Sequence, residues 1–194
     1  MPRPARFAHV VLQTFDLKRL VDWYTYAFDL EVYAESPRAV IGSYDEEHHR
    51  FAFTQFPGEK VESYFNPLKH VAYAYNSLGE LLEQYKHMKA GGYYPVESVN
   101  HGPTLSFYYA DPDGNGVEFF VDRFQTMEES KAFMASPAFQ KNLFGYYFDA
   151  EKVLADFERG VPAETVWEYD QDAADRHVEM MKAKAAAAAE AAAS

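Results

Sequence analysis

An internal repeat is the feature that most constrains how this 194-residue chain can fold. A short β-branched and aromatic run, a helical pattern and three further strand-like runs follow one another twice, over about residues 6–57 and 68–122. Corresponding positions lie 61 residues apart, as His9 and His70 do. Repeated units of this kind bury their apolar faces against each other. We therefore predict an α+β fold of two βαβββ modules, whose curved sheets form a half-open barrel around a pocket.

The rest of the chain follows a different pattern, which divides the protein into three parts. Residues 1–122 form the domain of paired modules, and residues 123–169 show helical patterns that we expect to pack on it as an extension. Residues 170–194 run into an alanine-rich tail, which favours helix but presents no apolar face. We predict that this tail is helical or disordered and contributes nothing to stability.

Composition and charge exclude several functional classes. The chain has no cysteine, so disulfides, zinc–thiolate sites and a thiol nucleophile are excluded. Its net charge of −12 makes the phosphate backbone of a nucleic acid an unfavourable partner. The first residues lack the pattern of a signal peptide, and no apolar run reaches the length of a membrane span. We expect a cytoplasmic protein with no nucleic-acid or membrane partner.

Three side chains at related positions predict a metal site. His9 and His70 occupy the same place in the first strand of each module, where we expect both to lie in mid-strand, and Glu118 interrupts the apolar final strand V-E-F-F-V. Taken singly, such a histidine is more often a hydrogen-bonded core residue, and such a glutamate can face outward. A buried carboxylate is costly unless it is paired or binds a metal. Two imidazoles and one carboxylate on one side of an ion are the facial set of non-haem Fe(II) oxygenases.

Several short motifs extend this interpretation to a known family. F-A-H-V, L-K-H-V and D-P-D-G-N-G-V-E-F resemble motifs of the vicinal oxygen chelate superfamily, which includes glyoxalase I, antibiotic-resistance proteins and type I extradiol dioxygenases. The segments F-Q-T-M-E-E-S-K-A-F-M and N-L-F-G-Y-Y-F-D-A-E-K-V-L resemble the C-terminal extension of small, single-domain 2,3-dihydroxybiphenyl 1,2-dioxygenase-like proteins. The resemblance covers about residues 5–160 and implies extradiol ring cleavage.

The resemblance also implies a role for each site residue. His49, in H-H-R-F-A-F, takes the place of the acid–base histidine, and alternation along its strand predicts that it faces inward. Tyr108 takes the place of a tyrosine that contacts substrate, and His101 that of a histidine behind it. The implied cofactor is Fe(II), with Mn(II) as an alternative, and the implied metal ligands are His9, His70 and Glu118.

The implied reaction inserts O2 beside the diol of a catechol-type small molecule, in a protein that can form a homodimer. Gln55 stands where glyoxalase I places a fourth ligand, a glutamate, and a neutral amide is a poorer ligand. This departure favours a three-ligand dioxygenase. Two alternatives remain open at this point. One is another divalent-metal enzyme of the same fold, such as a glyoxalase-like isomerase or a thiol transferase, and the other is a non-catalytic binding protein.

Overall fold

The computed structural model describes residues 6–58 and 68–180; most of residues 57–67, the linker between the two copies of the repeat, and the alanine-rich end of the tail lie outside this range. The first module contains β1 (Val10–Thr14), α1 (Leu17–Phe28), β2 (Glu31–Ser36), β3 (Ala39–Ser43) and β4 (Phe51–Gln55). The second contains β5 (His70–Tyr75), α2 (Leu78–Ala90), β6 (Glu97–Asn100), β7 (Thr104–Ala110) and β8 (Gly116–Asp122). The extension contains α3 (Met127–Met134), α4 (Pro137–Lys141), β9 (Tyr146–Tyr147), α5 (Ala150–Glu158), α6 (Ala163–Val166) and a last helix over 171–180. No helix in these described stretches is long and apolar enough to cross a bilayer.

The first sheet has the strand order β1-β4-β3-β2, in which β1 and β4 run parallel and Val10 lies opposite Phe51. Asp16 caps the N-terminus of helix α1, and its carboxylate accepts a hydrogen bond from the Arg19 backbone N–H at 3.1 Å. Such a cap satisfies one of the free N–H groups of the first turn. The helix contributes four buried side chains to the core of this module, namely Leu20, Trp23, Tyr24 and Ala27.

The second sheet repeats this arrangement, in the order β5-β8-β7-β6, and adds β9 of the extension beyond β6. On its helix-covered side, Phe107 of β7 stacks on Tyr85 of α2 with ring centroids 4.9 Å apart. Side chains alternate between the two faces of a strand. Tyr108, the next residue of β7, therefore projects from the opposite face. The repeated strand order confirms the α+β class and the duplicated βαβββ unit.

The chain forms two compact units, and a turn of the second module belongs to the first of them. The first unit holds the described residues up to His70 together with Ala110–Gly116. Within it, the Tyr24 hydroxyl donates to the Asp111 carboxylate at 3.2 Å, and the Arg19 guanidinium bonds the Pro112 carbonyl and the Asp113 carboxylate. The second unit holds the remaining described residues, including the extension.

The helix over 171–180 is packed against the extension. Ala174 is completely buried, and its carbonyl accepts a hydrogen bond from the Asn142 side-chain amide at 3.1 Å. Lys141 forms an ion pair with Asp175 at 2.5 Å. The prediction that the whole segment after residue 169 has no buried face is therefore wrong. Its contact is made by an alanine, a residue too small to stand out in a hydrophobic pattern.

We expect Ala174→Leu to destabilise the protein by about 1–3 kcal/mol, because the added methylene groups overpack a filled site. Leucine is a good helix former, so the change does not act through helix propensity. Arg176→Leu in the same helix is the control, since that side chain is exposed and should change stability by less than about 0.5 kcal/mol. Equal denaturation midpoints for the two variants would show that the helix is not packed on the protein.

Candidate active site

The two histidines of the first module stand together outside its strands. His9, predicted in mid-strand, immediately precedes β1, and His49, predicted within a strand, lies in the loop before β4, so both predicted positions are wrong. Their ring centroids nevertheless lie 4.4 Å apart. The Nδ1 atoms of His49 and His48 are 2.5 Å apart. The structure thus brings His49 beside His9 through a loop, and not through alternation along β4.

Arg50 holds these two histidine-bearing segments together, a role for which the sequence carries no signal. Its guanidinium donates to the carbonyls of Phe7 at 2.7 Å and Ala8 at 3.0 Å, just before His9. The same group bonds the Asp45 carboxylate at 2.9 Å, within the loop that carries His49. A guanidinium group carries a positive charge and several N–H donors in one plane, so it can hold a loop in place by bonding several acceptors at once.

The surroundings of His49 favour its neutral form. Desolvation lowers the pKa of the imidazole, and positive charge on His9 or His48 lowers it further, while the carboxylate of Glu47 acts in the opposite direction. A histidine with a lowered pKa stays neutral at neutral pH and keeps a ring nitrogen that can accept a proton. His49 therefore has the protonation state that a general base requires.

His70 is the first residue of β5, and the start of β8 comes very close to it. A Cβ atom added to Gly116 would lie 2.2 Å from the Lys69 carbonyl oxygen and 2.9 Å from the His70 Cβ. Only glycine permits this approach. The tight turn that precedes Gly116 is closed by the Asp111 carboxylate, which accepts a hydrogen bond from the backbone N–H of Asn115 at 2.8 Å. Gly116 thus sets the backbone contact beside His70, two residues before Glu118.

In the second unit, a carboxylate, a phenol and an imidazole form a chain. Glu118 of β8 is only 7% exposed, and Tyr108 of β7 lies beside it. Burial raises the pKa of the Tyr108 phenol, and the charge and hydrogen bond of Glu118 raise it further. On the other side, His101 Nε2 is 2.9 Å from the Tyr108 hydroxyl oxygen. The phenol therefore stays protonated at neutral pH and is held from two sides.

The residues predicted to bind iron have suitable donor chemistry. Over residues 6–58 and 68–180, no three histidine, aspartate or glutamate side chains are gathered closely enough to hold a metal ion. The predicted set nevertheless combines two imidazoles with a carboxylate buried in a strand. These are the donor types that suit a non-haem Fe(II) centre.

Gln55 has a structural role in the first module. Its side-chain oxygen accepts the Leu17 backbone N–H at 3.2 Å, and its side-chain nitrogen donates to the Phe15 carbonyl at 2.9 Å. Both ends of the amide are thus used to join the end of β4 to the start of α1. This observation agrees with a ligand set that does not include residue 55.

Comparisons with known proteins place these features in a family. A sequence profile described as the Glyoxalase/Bleomycin resistance protein/Dioxygenase superfamily matches residues 6–119. Biphenyl-2,3-diol 1,2-dioxygenase 2 of Rhodococcus globerulus is 36% identical over 170 residues, which cover 86% of this chain and 88% of that protein. Biphenyl-2,3-diol 1,2-dioxygenase 3 of the same organism is 36% identical over 161 residues, which cover 81% of this chain and 84% of that protein. A solved glyoxylase/bleomycin resistance protein/dioxygenase domain from Frankia sp. EAN1pec shares the fold, with a TM-score of 0.55 and 16% sequence identity. The superposition covers 66% of this chain and 98% of that domain.

Proposed function

Because the chain belongs to the Glyoxalase/Bleomycin resistance protein/Dioxygenase superfamily, we propose that it is an Fe(II)-dependent extradiol dioxygenase. Its substrate is a catechol-type diol, whose ring opens beside the two hydroxyl groups with insertion of both atoms of O2. The observation that carries this proposal is the relationship to two biphenyl-2,3-diol 1,2-dioxygenases over more than four-fifths of their length. Biphenyl-2,3-diol is therefore the first substrate to test.

The proposed ligands of the iron are His9, His70 and Glu118, with Mn(II) as the alternative ion. When bound, such an ion would act as a Lewis acid that lowers the pKa of the diol hydroxyl groups, and it would support the reaction of the diol with O2. The support for this set is its donor chemistry and the repeated placement of the two histidines, next to β1 in one module and at the start of β5 in the other.

Tyr108 binds and orients the substrate in this proposal. Its phenol is a hydrogen-bond donor at neutral pH, as any tyrosine is, and burial and Glu118 raise its pKa further; a donor of this kind suits a deprotonated diol oxygen. His101 holds the phenol in place through the contact between its Nε2 and the Tyr108 hydroxyl. An aligned donor lowers the barrier because it need not reorganise during the reaction.

His49 moves protons. Its neutral ring accepts a proton from the diol as the substrate binds, and returns a proton to oxygen as the ring opens. One group can serve both steps because the intrinsic pKa of histidine lies near neutral pH. The bond network around Arg50 keeps the His49 loop in place beside His9.

The proposal is tested by loading the purified protein with Fe(II) without oxygen, and then adding air-saturated buffer and one of several diols. We expect biphenyl-2,3-diol or a simpler catechol to give a yellow ring-fission product, with one O2 consumed per diol. Isomerisation of a hemithioacetal without O2 uptake would instead support the glyoxalase-like alternative. Diol binding in calorimetry with neither reaction would support a binding protein.

A further inference from the structure

We infer that Tyr146, in the C-terminal extension, is a positioning residue for His101, so that the extension takes part in the reaction from outside the paired modules. The inference rests on the proposed function, since the placement of His101 affects turnover only if Tyr108 contacts the substrate. It concerns residues of the second compact unit alone.

The backbone of the extension lies directly against the segment that carries His101. Strand β9 pairs with β6, so that Tyr146 is opposite Asn100. Just before β9, Gly145 has a φ of 81°, and a Cβ atom there would lie 2.0 Å from the Asn100 carbonyl oxygen and 2.7 Å from the His101 Cα. A residue with a side chain cannot occupy this position. The backbone of Gly145 in the extension is therefore in close contact with the Asn100–His101 backbone.

The side chain of Asn100 bonds the backbone on the other side of His101. Asn100 is only 3% exposed, and its side-chain oxygen accepts the backbone N–H of Gly102 at 2.8 Å. This bond closes a turn of three residues with His101 at its centre. The backbone N–H of His101 donates to the Thr104 carbonyl at 2.9 Å. The turn fixes the backbone of His101, and its imidazole reaches the Tyr108 hydroxyl from there.

The Tyr146 hydroxyl holds Asn100 in this position. It accepts a hydrogen bond from the Asn100 side-chain nitrogen at 3.1 Å and one from the Asp170 backbone N–H at 3.1 Å, and it donates to the Glu168 carbonyl at 3.0 Å. One phenol thus joins the Asn100 turn to the chain just before the 171–180 helix. A buried amide that loses its partner moves or rotates to find another.

We expect Tyr146→Phe, which removes this hydroxyl and keeps the ring, to loosen the His101 turn. In the iron-loaded enzyme, kcat should fall by about tenfold or more, as expected for a small displacement of an active-site group. KM and iron content should change by less than about twofold, because neither the predicted ligands nor Tyr108 itself is altered. Tyr147→Phe is the matched control: it removes the neighbouring hydroxyl of β9, which bonds Glu97 on the surface.

A second measurement does not depend on activity. In metal-free protein labelled with 15N-histidine, the His101 ring signals, assigned from their loss in His101→Gln, should shift or broaden in Tyr146→Phe and stay unchanged in Tyr147→Phe. Asn100→Ala should shift or broaden the same His101 ring signals. It replaces Tyr146→Phe in this experiment if Tyr146→Phe does not fold. Unchanged His101 signals and unchanged kcat in an active parent enzyme would overturn the inference. An inactive parent enzyme with shifted His101 signals would overturn the proposed function and leave the positioning contact established.

Discussion

Replacing Glu118 by alanine should leave the purified protein without bound iron and without ring-cleaving activity. Glu118 is the one carboxylate in the proposed ligand set, and the remaining two imidazoles hold a divalent ion much more weakly. Glu118→Gln, which keeps the shape of the side chain beside Tyr108, should lose iron as well, because a neutral amide is a poor ligand. Elemental analysis after dialysis, together with O2 uptake on biphenyl-2,3-diol, measures both effects.

Asp122→Ala is the control for this experiment. Asp122 is an exposed carboxylate at the end of the same strand, and its replacement removes one negative charge from the protein, as Glu118→Ala does. That variant should keep its iron and its turnover. Full iron occupancy in Glu118→Ala, with normal folding by circular dichroism, would remove Glu118 from the ligand set and require another acidic residue in its place.

Replacing His49 by glutamine should separate chemistry from metal binding. We expect iron content and diol affinity to stay near those of the parent protein, because His49 is outside the proposed ligand set. The rate of ring opening should fall by about a hundredfold or more, the usual effect of removing a positioned acid–base group. Single-turnover absorbance measurements report this rate, and an uncoupled reaction would appear as peroxide released with the diol uncut.

His48→Gln is a close control, since His48 adjoins His49 and touches it but is itself exposed. It should reduce turnover by less than about threefold, well below the effect of a lost acid–base group. Normal turnover in His49→Gln would show that the histidine does no chemistry. Loss of iron along with turnover would instead make His49 a metal ligand, consistent with its contact with the His9 ring.

The long, periodic elements of the fold could be predicted from the sequence. The helical pattern of the first copy is α1 (Leu17–Phe28) in the structure, and the second of the three strand-like runs that follow the helix in the second copy is β7 (Thr104–Ala110). Each has a strong local signal, such as the Asp16 cap for α1 or an alternation of apolar side chains for β7. The duplication also predicted that both copies contain the same succession of elements, because each copy of a repeat folds in the same way; the order of the strands within each sheet comes from the structure.

Features that depend on contacts between distant parts of the chain could not be predicted. Strand β9 has only two residues, too few for any alternation, and exists because the chain after Gly145 lies against β6. The position of His49 depends on Arg50, which bonds two carbonyls some forty residues earlier. Nothing in the charged run around Arg50 identifies those partners. For the same reason, the sequence places His49 in a strand, although β4 begins at Phe51.

The turn over Ala110–Gly116 has a consequence for how such a protein can be recombined. Although the sequence repeats, this turn belongs to the compact unit of the first copy, where it supplies the bonding partners of Tyr24 and Arg19. A fragment that stops at the linker would lack those partners. A chimera that exchanges the first module for that of a relative would likewise pair a foreign α1 with the native turn. The smallest unit that can be exchanged intact is therefore the first module plus the turn, two pieces of the gene rather than one.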